Sequence, residues 1–491
     1  MPGKKAVVIG SGIAGLAIAI RLAVKGYSVT VLEKNPSPGG KITSFENKNF
    51  HFDGGPSLFT QPANIQELFE LAGEPMGKYF SYHPVLIACK YFFENGKIVN
   101  AYSDPVLFSK ELKEKLNEDP KQVLGYLQDS KKLYNNIGKI FLNESLHKVS
   151  TWLHQNVLKA LKVLRFSYLF QTLNKYNHSR FSTKEAVQIF NRFATYNGSN
   201  PYKAPAMLSL IPHLEHNIGI CYPQGGMISI VKALYDLAKD KGVELRFNVQ
   251  VDKIIHAEKK VIGVDIKNEK INADIIISNA DIYFTYKYLL NDQFKANKIL
   301  KQERSCSAVV FYWGINKKFS ELELHNIFFS NDYENEFKDI FQNKTISADP
   351  TIYINITGKM EESHAPEGKE NWFVMVNVPS NNGQDWEKIK AELRKNIIAK
   401  LNKILKDDIE KCIETENVLD PILIEQQTYS YKGSIYGTSS NSKFAAFLRN
   451  PNFSDKIKGL YFCGGTVHPG GGIPLCLQSA KIVSELITKD E

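Results

Sequence analysis

Three stretches of this chain predict an α/β fold, α+β overall, built around a doubly wound parallel sheet. VVIGSGIAGLAIAIRLAVKGYSVTVLEK, Val7 to Lys34, reads as a buried strand, a glycine turn, a helix closed by Gly26 and a second strand. YPQGGMISIVKALYDLAKDKGVEL opens an amphipathic helix on glycines, and the residues after it alternate in strand fashion through several short runs. GLYFCGG, a glycine loop and LCLQSAKIVSELI then close the chain as strand, loop and helix.

Between these stretches the texture differs. From Gln61 to about Gly219 long Lys-, Leu- and Tyr-rich patterns such as QELFELAG and KEKLNEDPKQVLGYLQDSKKLY predict an inserted helical region. From Ile282 to about Ser430, SAVVFYWGI and WFVMVNVPS read as strands and WEKIKAELRKNIIAKLNKIL as a helix, a second layer over a separate pocket. The expected organisation is two interleaved domains: residues 1–60, 220–281 and 431–491 forming one, 61–219 and 282–430 the other.

With 491 residues, 43% of them hydrophobic, the chain can bury more than one core. No low-complexity run or internal repeat points to disorder or an array. The net charge of +9 suits an anionic surface, but the lysines are scattered and no stacked-aromatic or zinc recognition module is visible, so no nucleic-acid partner is expected. Six cysteines without a Cys-x-x-Cys pair imply a reducing cytoplasm. The start MPGKKAVVIGSG has no cleavage site, and Arg21 interrupts its apolar run, so neither export nor a membrane span is expected.

In the first turn Gly10 permits the bend, Gly12 lets backbone N–H groups approach a pyrophosphate, and Gly15 lets the helix lie on the strand. Glu33 follows about 20 residues on, where a carboxylate accepts from both ribose hydroxyls. The pattern implies a dinucleotide; its rival is a tight strand-to-helix turn without a ligand. FAD and NAD can both use such a turn. Two further bare loops, Gly39-Gly40-Lys41 and Gly54-Gly55-Pro56, exceed what a nicotinamide enzyme needs and suit an extended cofactor threaded between domains.

These blocks, with YPQGGM and LYFCGGTVHPGGGIPLCLQSAK, resemble the bacterial carotenoid desaturases, relatives of the flavin amine oxidases. The resemblance runs from end to end. The glycine turn and Gly-Gly-Lys carry only the wider flavoprotein group, whereas His468 to Pro474 narrows it to the desaturases. Within them the chain is most similar to the flavobacterial 1-hydroxycarotenoid 3,4-desaturases, with nearly all motifs shared by phytoene desaturases. The resemblance implies an FAD-binding Rossmann-like domain interleaved with a substrate domain of sheet plus helices. It implies FAD contacts from Ala14, Glu33, Lys41, Pro56, Ser57, the Val251 backbone on a strand, Asn279 with Ala280, Gly465, Gly472, Ile473 and Pro474, beside the glycines Gly10, Gly12, Gly15 and Gly40. Lys41 stands where much of the group has arginine, and Thr466 where amine oxidases have an acid for the ribityl chain.

Desaturation takes a hydride and a proton from neighbouring carbons, and the polyene itself spreads the developing charge, so no nucleophile or triad is expected. His468 is the one weak catalytic candidate, either positioning or moving a proton, or shaping the backbone beside Pro469. Asp53 reads as a hydrogen-bonding turn residue. His213 and His216, three apart, lack a third ligand, so no metal is expected. A long apolar carotenoid, roughly 30 Å for forty carbons, has to come from a membrane surface, which implies peripheral association with the inner membrane on its cytoplasmic side. HQNVLKALKVLRFSYLFQTLNKY, with Val157, Leu161, Leu164 and Tyr168 beside Lys159, Lys162 and Arg165, is the candidate lipid helix; an ordinary core helix is its rival. The electron acceptor is oxygen or a quinone. The competing readings are a phytoene desaturase and a flavin-free lipid escort of the same fold.

Overall fold

The computed structural model describes residues 3–152, 166–267, 269–442 and 449–490. Lys5–Ile9 forms strand β1, Ile13–Val24 helix α1 and Ser28–Leu32 strand β2. Helix α1 is buried from Ile13 to Leu22, which explains why its sequence is apolar all round save for Arg21, whose guanidinium pairs with Glu67. It is enclosed by the sheet below and by the helices Ile228–Asp240 and Ile473–Asp490, with Lys25 Nζ reaching the Ser484 carbonyl at 2.7 Å.

The five-stranded sheet has the order Glu244–Arg246, β2, β1, Ile275–Ser278, Leu460–Phe462, parallel throughout. Its strands come from three separated stretches of chain. An antiparallel sheet, Lys253–Ala257, Lys260–Ile266 and Glu269–Asn272, lies between the strands Glu244–Arg246 and Ile275–Ser278 in sequence.

The larger sheet has seven strands: Ile413–Leu419, Ser307–Ile315, Glu370–Val378, Ile352–Asn355, His325–Phe328, Ile87–Phe92 and Ile98–Tyr102. One face carries Val309, Phe311, Trp313, Trp372, Val374 and Ile354, sharing a core with Leu393, Ile397 and Leu401 of the helix Trp386–Leu405. The other face carries Ala308, Val310, Tyr312 and Phe373 and meets Phe50 and Phe52 from the N-terminal part of the chain. A two-residue period sorts these side chains between two different cores.

The region after Gln61 is not purely helical, which corrects the expectation from its texture. Tyr82–Val85, Ile87–Phe92 and Ile98–Tyr102 are strands. The last two form a hairpin closed at Asn95-Gly96, where Gly96 has φ 82° and the Phe93 N–H meets the Lys97 carbonyl at 3.0 Å. The helical texture past Val106 is two helices, Pro105–Leu116 and Pro120–Leu133. Each starts on an Asp-Pro pair whose carboxylate accepts first-turn N–H groups, and left-handed Asn117 separates them.

The candidate lipid helix falls largely outside the described residues, with Val157, Lys159, Leu161, Lys162, Leu164 and Arg165 among them. Its described end is not one helix: Phe166–Phe170 stops, and Thr172 caps a new helix, Leu173–His178. Tyr168 is buried with Phe181, Phe190 and Phe193 in the helical core.

Candidate functional site

The two ends of the chain meet across one side chain. Asn279, just past the strand Ile275–Ser278, bonds through its N–H to the Ile9 carbonyl at 2.9 Å. A methyl group on Gly12 would stand 2.8 Å from Asn279 Nδ2, and one on Gly464 would stand 2.6 Å from Asn279 Oδ1. Gly12 also pairs with Gly39, and a methyl on Gly40 would approach the Gly12 Cα at 3.3 Å. The N-terminal turn, the Gly-Gly-Lys loop and the C-terminal glycine loop thus form one cradle of bare backbone. Gly15 plays its expected part, since a side chain there would collide with the Gly10 carbonyl oxygen at 2.1 Å.

Glu33 sits at the end of β2 with its carboxylate buried beside the turn. Its Oε2 accepts from Ser11 N–H at 2.8 Å and Ser11 Oγ at 2.9 Å, and its Oε1 from Asn35 N–H at 2.9 Å. Three donors leave lone-pair capacity for a ribose hydroxyl. Ala14 is buried in the first turn of α1 behind these groups.

The Gly54–Ser57 loop clasps the Gly-Gly-Lys loop, with the Gly54 N–H on the Thr43 carbonyl at 2.7 Å. Pro56 and Ser57 keep partial access to water in this clasp, and so does Gly465, which lies against Gly471 in the C-terminal loop. The Lys41 ammonium reaches the Ile435 carbonyl at 2.9 Å; burial pulls its pKa down, against the attraction of Asp281 and Cys476. It therefore stands among the C-terminal segments. Gly472, Ile473 and Pro474 open the helix Ile473–Asp490, and nothing lies within 4 Å of where a Gly472 side chain would point. First-turn N–H groups of an 18-residue helix suit the electron-rich edge of a flavin.

Val251 departs from expectation in one respect: it precedes the strand Lys253–Ala257 rather than lying on it, and its side chain is buried with Val7 and Leu32. Thr466 is engaged structurally, its Oγ1 accepting the Ile282 N–H at 3.0 Å. Asp53 accepts the Met227 N–H at 3.1 Å with both oxygens, tying its loop to the YPQGGM turn, and burial pushes its carboxyl up to about 6. His468 is buried, with Nε2 2.9 Å from the Glu144 carbonyl, so that nitrogen carries the proton and donates; burial brings its pKa down to about 3. His213 lies near the Tyr134 ring, and His216 stacks on Phe108 at 4.2 Å with Nδ1 on the Tyr102 carbonyl. Among the described residues no group of three or more metal-ligating side chains forms.

The cradle faces the large sheet. Tyr312 donates to the Gly54 carbonyl at 2.9 Å, and the Ser57 hydroxyl lies 2.7 Å from the Tyr353 hydroxyl. Along Glu370–Val378 only Met375 and Asn377 keep access to water, and along Ile352–Asn355 only Tyr353. Register puts all three on the face turned to the cradle, since Val310 pairs with Met375 and Met375 with Tyr353. They form a partly accessible face of the sheet turned to the cradle, apolar at Met375, where Leu419 and Ile435 pack against the same core.

Sequence reasoning missed the polar groups of this face, because strands far apart in sequence bring them together. His325 Nδ1 is 2.7 Å from Tyr353 Oη and 3.1 Å from Asn355 Nδ2. Deeper lies a buried ion pair, Arg192 to Glu215 at 2.7 Å, with Tyr196 donating to the same carboxylate. Burial works against the Glu215 charge, but Arg192 overrules it and holds the carboxyl below its usual range.

The chain matches the family described as flavin containing amine oxidoreductase over residues 13–488. It is 49% identical over 484 residues to a 1-hydroxycarotenoid 3,4-desaturase of Flavobacterium sp. (strain P99-3), covering 99% of both chains. It is 32% identical to a phytoene desaturase of Fusarium fujikuroi, covering 99% of this chain and 90% of that one. A solved putrescine oxidase, wild type bound to putrescine, shares the fold with a TM-score of 0.64 over 99% of each chain at 13% identity. Joined to a backbone cradle that fits FAD, these likenesses place the chain in the flavin-containing amine oxidoreductase family, in its carotenoid desaturase branch, as an FAD-dependent oxidoreductase.

Proposed function

We propose that this protein desaturates an acyclic carotenoid at the 3,4 bond of a 1-hydroxylated end. The observation that carries the reading is the partly accessible sheet face at Met375, with Leu419 and Ile435 on the same core, turned to the glycine cradle in a chain nearly half identical to an enzyme named for that reaction. The substrate chamber is accordingly assigned to the space between face and cradle. Bound in the cradle, FAD supplies the two-electron oxidising capacity that removal of two hydrogens requires. The residues then have four tasks. Gly12, Gly40, Gly464 and Asn279 let the cofactor lie on backbone, and Glu33 receives its ribose. The turn at Gly472 to Pro474 and the Lys41 ammonium provide positive potential where electron density gathers. Met375, Leu419 and Ile435 keep water from the reacting carbons. His468, its ring N–H spent on Glu144, anchors the loop rather than moving a proton.

We further propose peripheral attachment to the cytoplasmic side of the inner membrane. No described helix is long and apolar enough to cross a membrane. Val149 is 76% exposed, Trp152 47% and Phe170 52%, apolar groups on either side of the Lys- and Arg-bearing stretch 153–165. The electron acceptor is proposed to be oxygen or a membrane quinone.

Incubating the FAD-loaded protein with a 1-hydroxylated acyclic carotenoid in vesicles tests the reading. A product whose absorption moves to longer wavelength, with the new double bond at C3–C4, is expected. Conversion of phytoene alone would assign it to the phytoene desaturases. A folded protein that never takes up FAD would make it an escort.

A further inference from the structure

One row of the sheet runs Leu419, Val310, Met375, Tyr353, Ile327, so the Tyr353 phenol interrupts an otherwise apolar row at the point where Asn355 and His325 also gather. His325 pairs directly with Asn355, and Tyr353 lies two residues earlier on the same face. The hydrogen-bond directions in this group can be deduced. Asn355 Nδ2 is 3.0 Å from the Leu324 carbonyl, which only a donor tolerates, so the amide nitrogen is fixed there and also points at His325 Nδ1. Nδ1 accordingly carries a lone pair and no proton. That single lone pair is shared unequally: the Tyr353 hydroxyl, at 2.7 Å, donates to it, and the Asn355 N–H at 3.1 Å is the longer, weaker arm. Burial brings His325 down to about 4, so the ring stays neutral and the direction holds at physiological pH.

With its one proton committed, Tyr353 Oη can only accept. Ser57 Oγ, at 2.7 Å, fills one acceptor position. The second has no partner among the described residues, and Tyr353 is the one residue of its strand that keeps partial access to water. It is an acceptor wanting a donor, flanked in its row by apolar Met375 and Ile327 and one hydrogen bond from the loop expected at the flavin. A hydroxyl on C1 of the substrate is four bonds from C4, so when C4 is at the flavin the hydroxyl lies in this same chamber.

We propose that Tyr353 is the specificity residue that reads the terminal hydroxyl of the carotenoid, accepting a hydrogen bond from it while His325 and Asn355 hold the phenol in the accepting orientation. The inference rests on the 3,4-desaturation reading. A hydrocarbon end leaves the phenol oxygen unsatisfied, and a site built for a hydroxyl discriminates against its absence more strongly than apolar contacts can.

The test compares wild type and Tyr353→Phe, each loaded with FAD, on a 1-hydroxylated acyclic carotenoid and on the same carotenoid without the hydroxyl. Two readouts are used: kcat/KM, and binding to holoenzyme kept reduced without oxygen, followed by the carotenoid absorption change. The expected result is a ~10-fold loss of preference for the hydroxylated compound in both, with binding of the other unchanged. Equal losses on both compounds, or an unchanged preference, overturn the proposal. Should Tyr353→Phe fail to fold, wild type alone decides with the 1-methyl ether, which keeps the oxygen and lacks the donor. The ether is expected to bind like the hydrocarbon, and binding as tight as the alcohol overturns the proposal. If wild type converts neither carotenoid, the desaturase reading falls, while the binding comparison still judges Tyr353.

Discussion

Gly15→Ala is the sharpest perturbation of the cradle. The added methyl would sit 2.1 Å from the Gly10 carbonyl oxygen and 3.0 Å from Asn279 Nδ2. A carbon tolerates a carbonyl oxygen no closer than about 3.3 Å, so α1 has to move off the turn by about 1 Å. The obstacle is backbone, which cannot swing aside as a flexible side chain would. Such overpacking costs about 1–3 kcal/mol of stability. The same displacement carries the first N–H groups of α1 away from the pyrophosphate and disturbs Asn279, where the turn meets Gly464. An affinity loss of about 1.4 kcal/mol is tenfold, and at least that is expected for FAD. Gly73→Ala is the comparison, because nothing lies within 4 Å of its added methyl and only its φ of 69° is strained. Titrating FAD into apoprotein and following flavin fluorescence gives the affinities, with thermal melts alongside. A folded Gly15→Ala protein that binds FAD as tightly as Gly73→Ala would refute the argument that this glycine sets helix, turn and cofactor at one distance.

Acid should weaken the fold through its buried imidazoles. Burial brings His213, His325 and His364 down to about 4 and His468 to about 3, while the unfolded chain titrates near the ordinary 6.5. Between those values the unfolded chain binds protons that the folded one refuses, so this stability is complete above pH 6.5 and is lost as pH falls through 4. The ceiling is about 3 kcal/mol for each ring brought to about 4 and about 5 kcal/mol for His468. Asp53, raised to about 6, works in the opposite sense, its share present in acid and lost as pH rises through 6. A urea midpoint equal at pH 7.5 and pH 4.5 would contradict the balance. At the deeper ion pair, Arg192→Met strands the Glu215 carboxylate and should cost about 3–5 kcal/mol, and adding Glu215→Gln should recover part of it. A double-mutant cycle with no coupling would place the pair's importance elsewhere.

What could be read along the chain, and what could not, divides by physical cause. Gly15, Gly40 and Glu33 announce themselves because each answers a requirement posed within the N-terminal stretch, by the Gly10 carbonyl, the Gly12 Cα and Ser11. Gly12 is legible from its place in the turn, although the side chain it makes room for, Asn279, is distant in sequence. Val251 lies two residues before the strand Lys253–Ala257, whose start is set by pairing with Asp265 rather than by any local preference that the sequence displays. The hairpin at Asn95-Gly96 did carry a local turn signal, but the surrounding lysines and leucines gave a stronger helical texture. His213 and His216 have ligand spacing, yet their rings fill aromatic cavities beside Tyr134 and Phe108.

Tyr353, Asn355 and His325 are a different matter. Each is an ordinary strand residue, and their meeting depends on two antiparallel registers and on which face of the sheet is turned to the cradle. A one-residue slip of Ile352–Asn355 would send Tyr353 into the core under the helix Trp386–Leu405 and replace it with Ile354. The cofactor site is thus written in local backbone needs, whereas the chamber's polarity is written in sheet register. This separation lets one cradle serve relatives with different substrates, because altering strand residues on the chamber face changes what is read there without touching the glycines that hold the flavin.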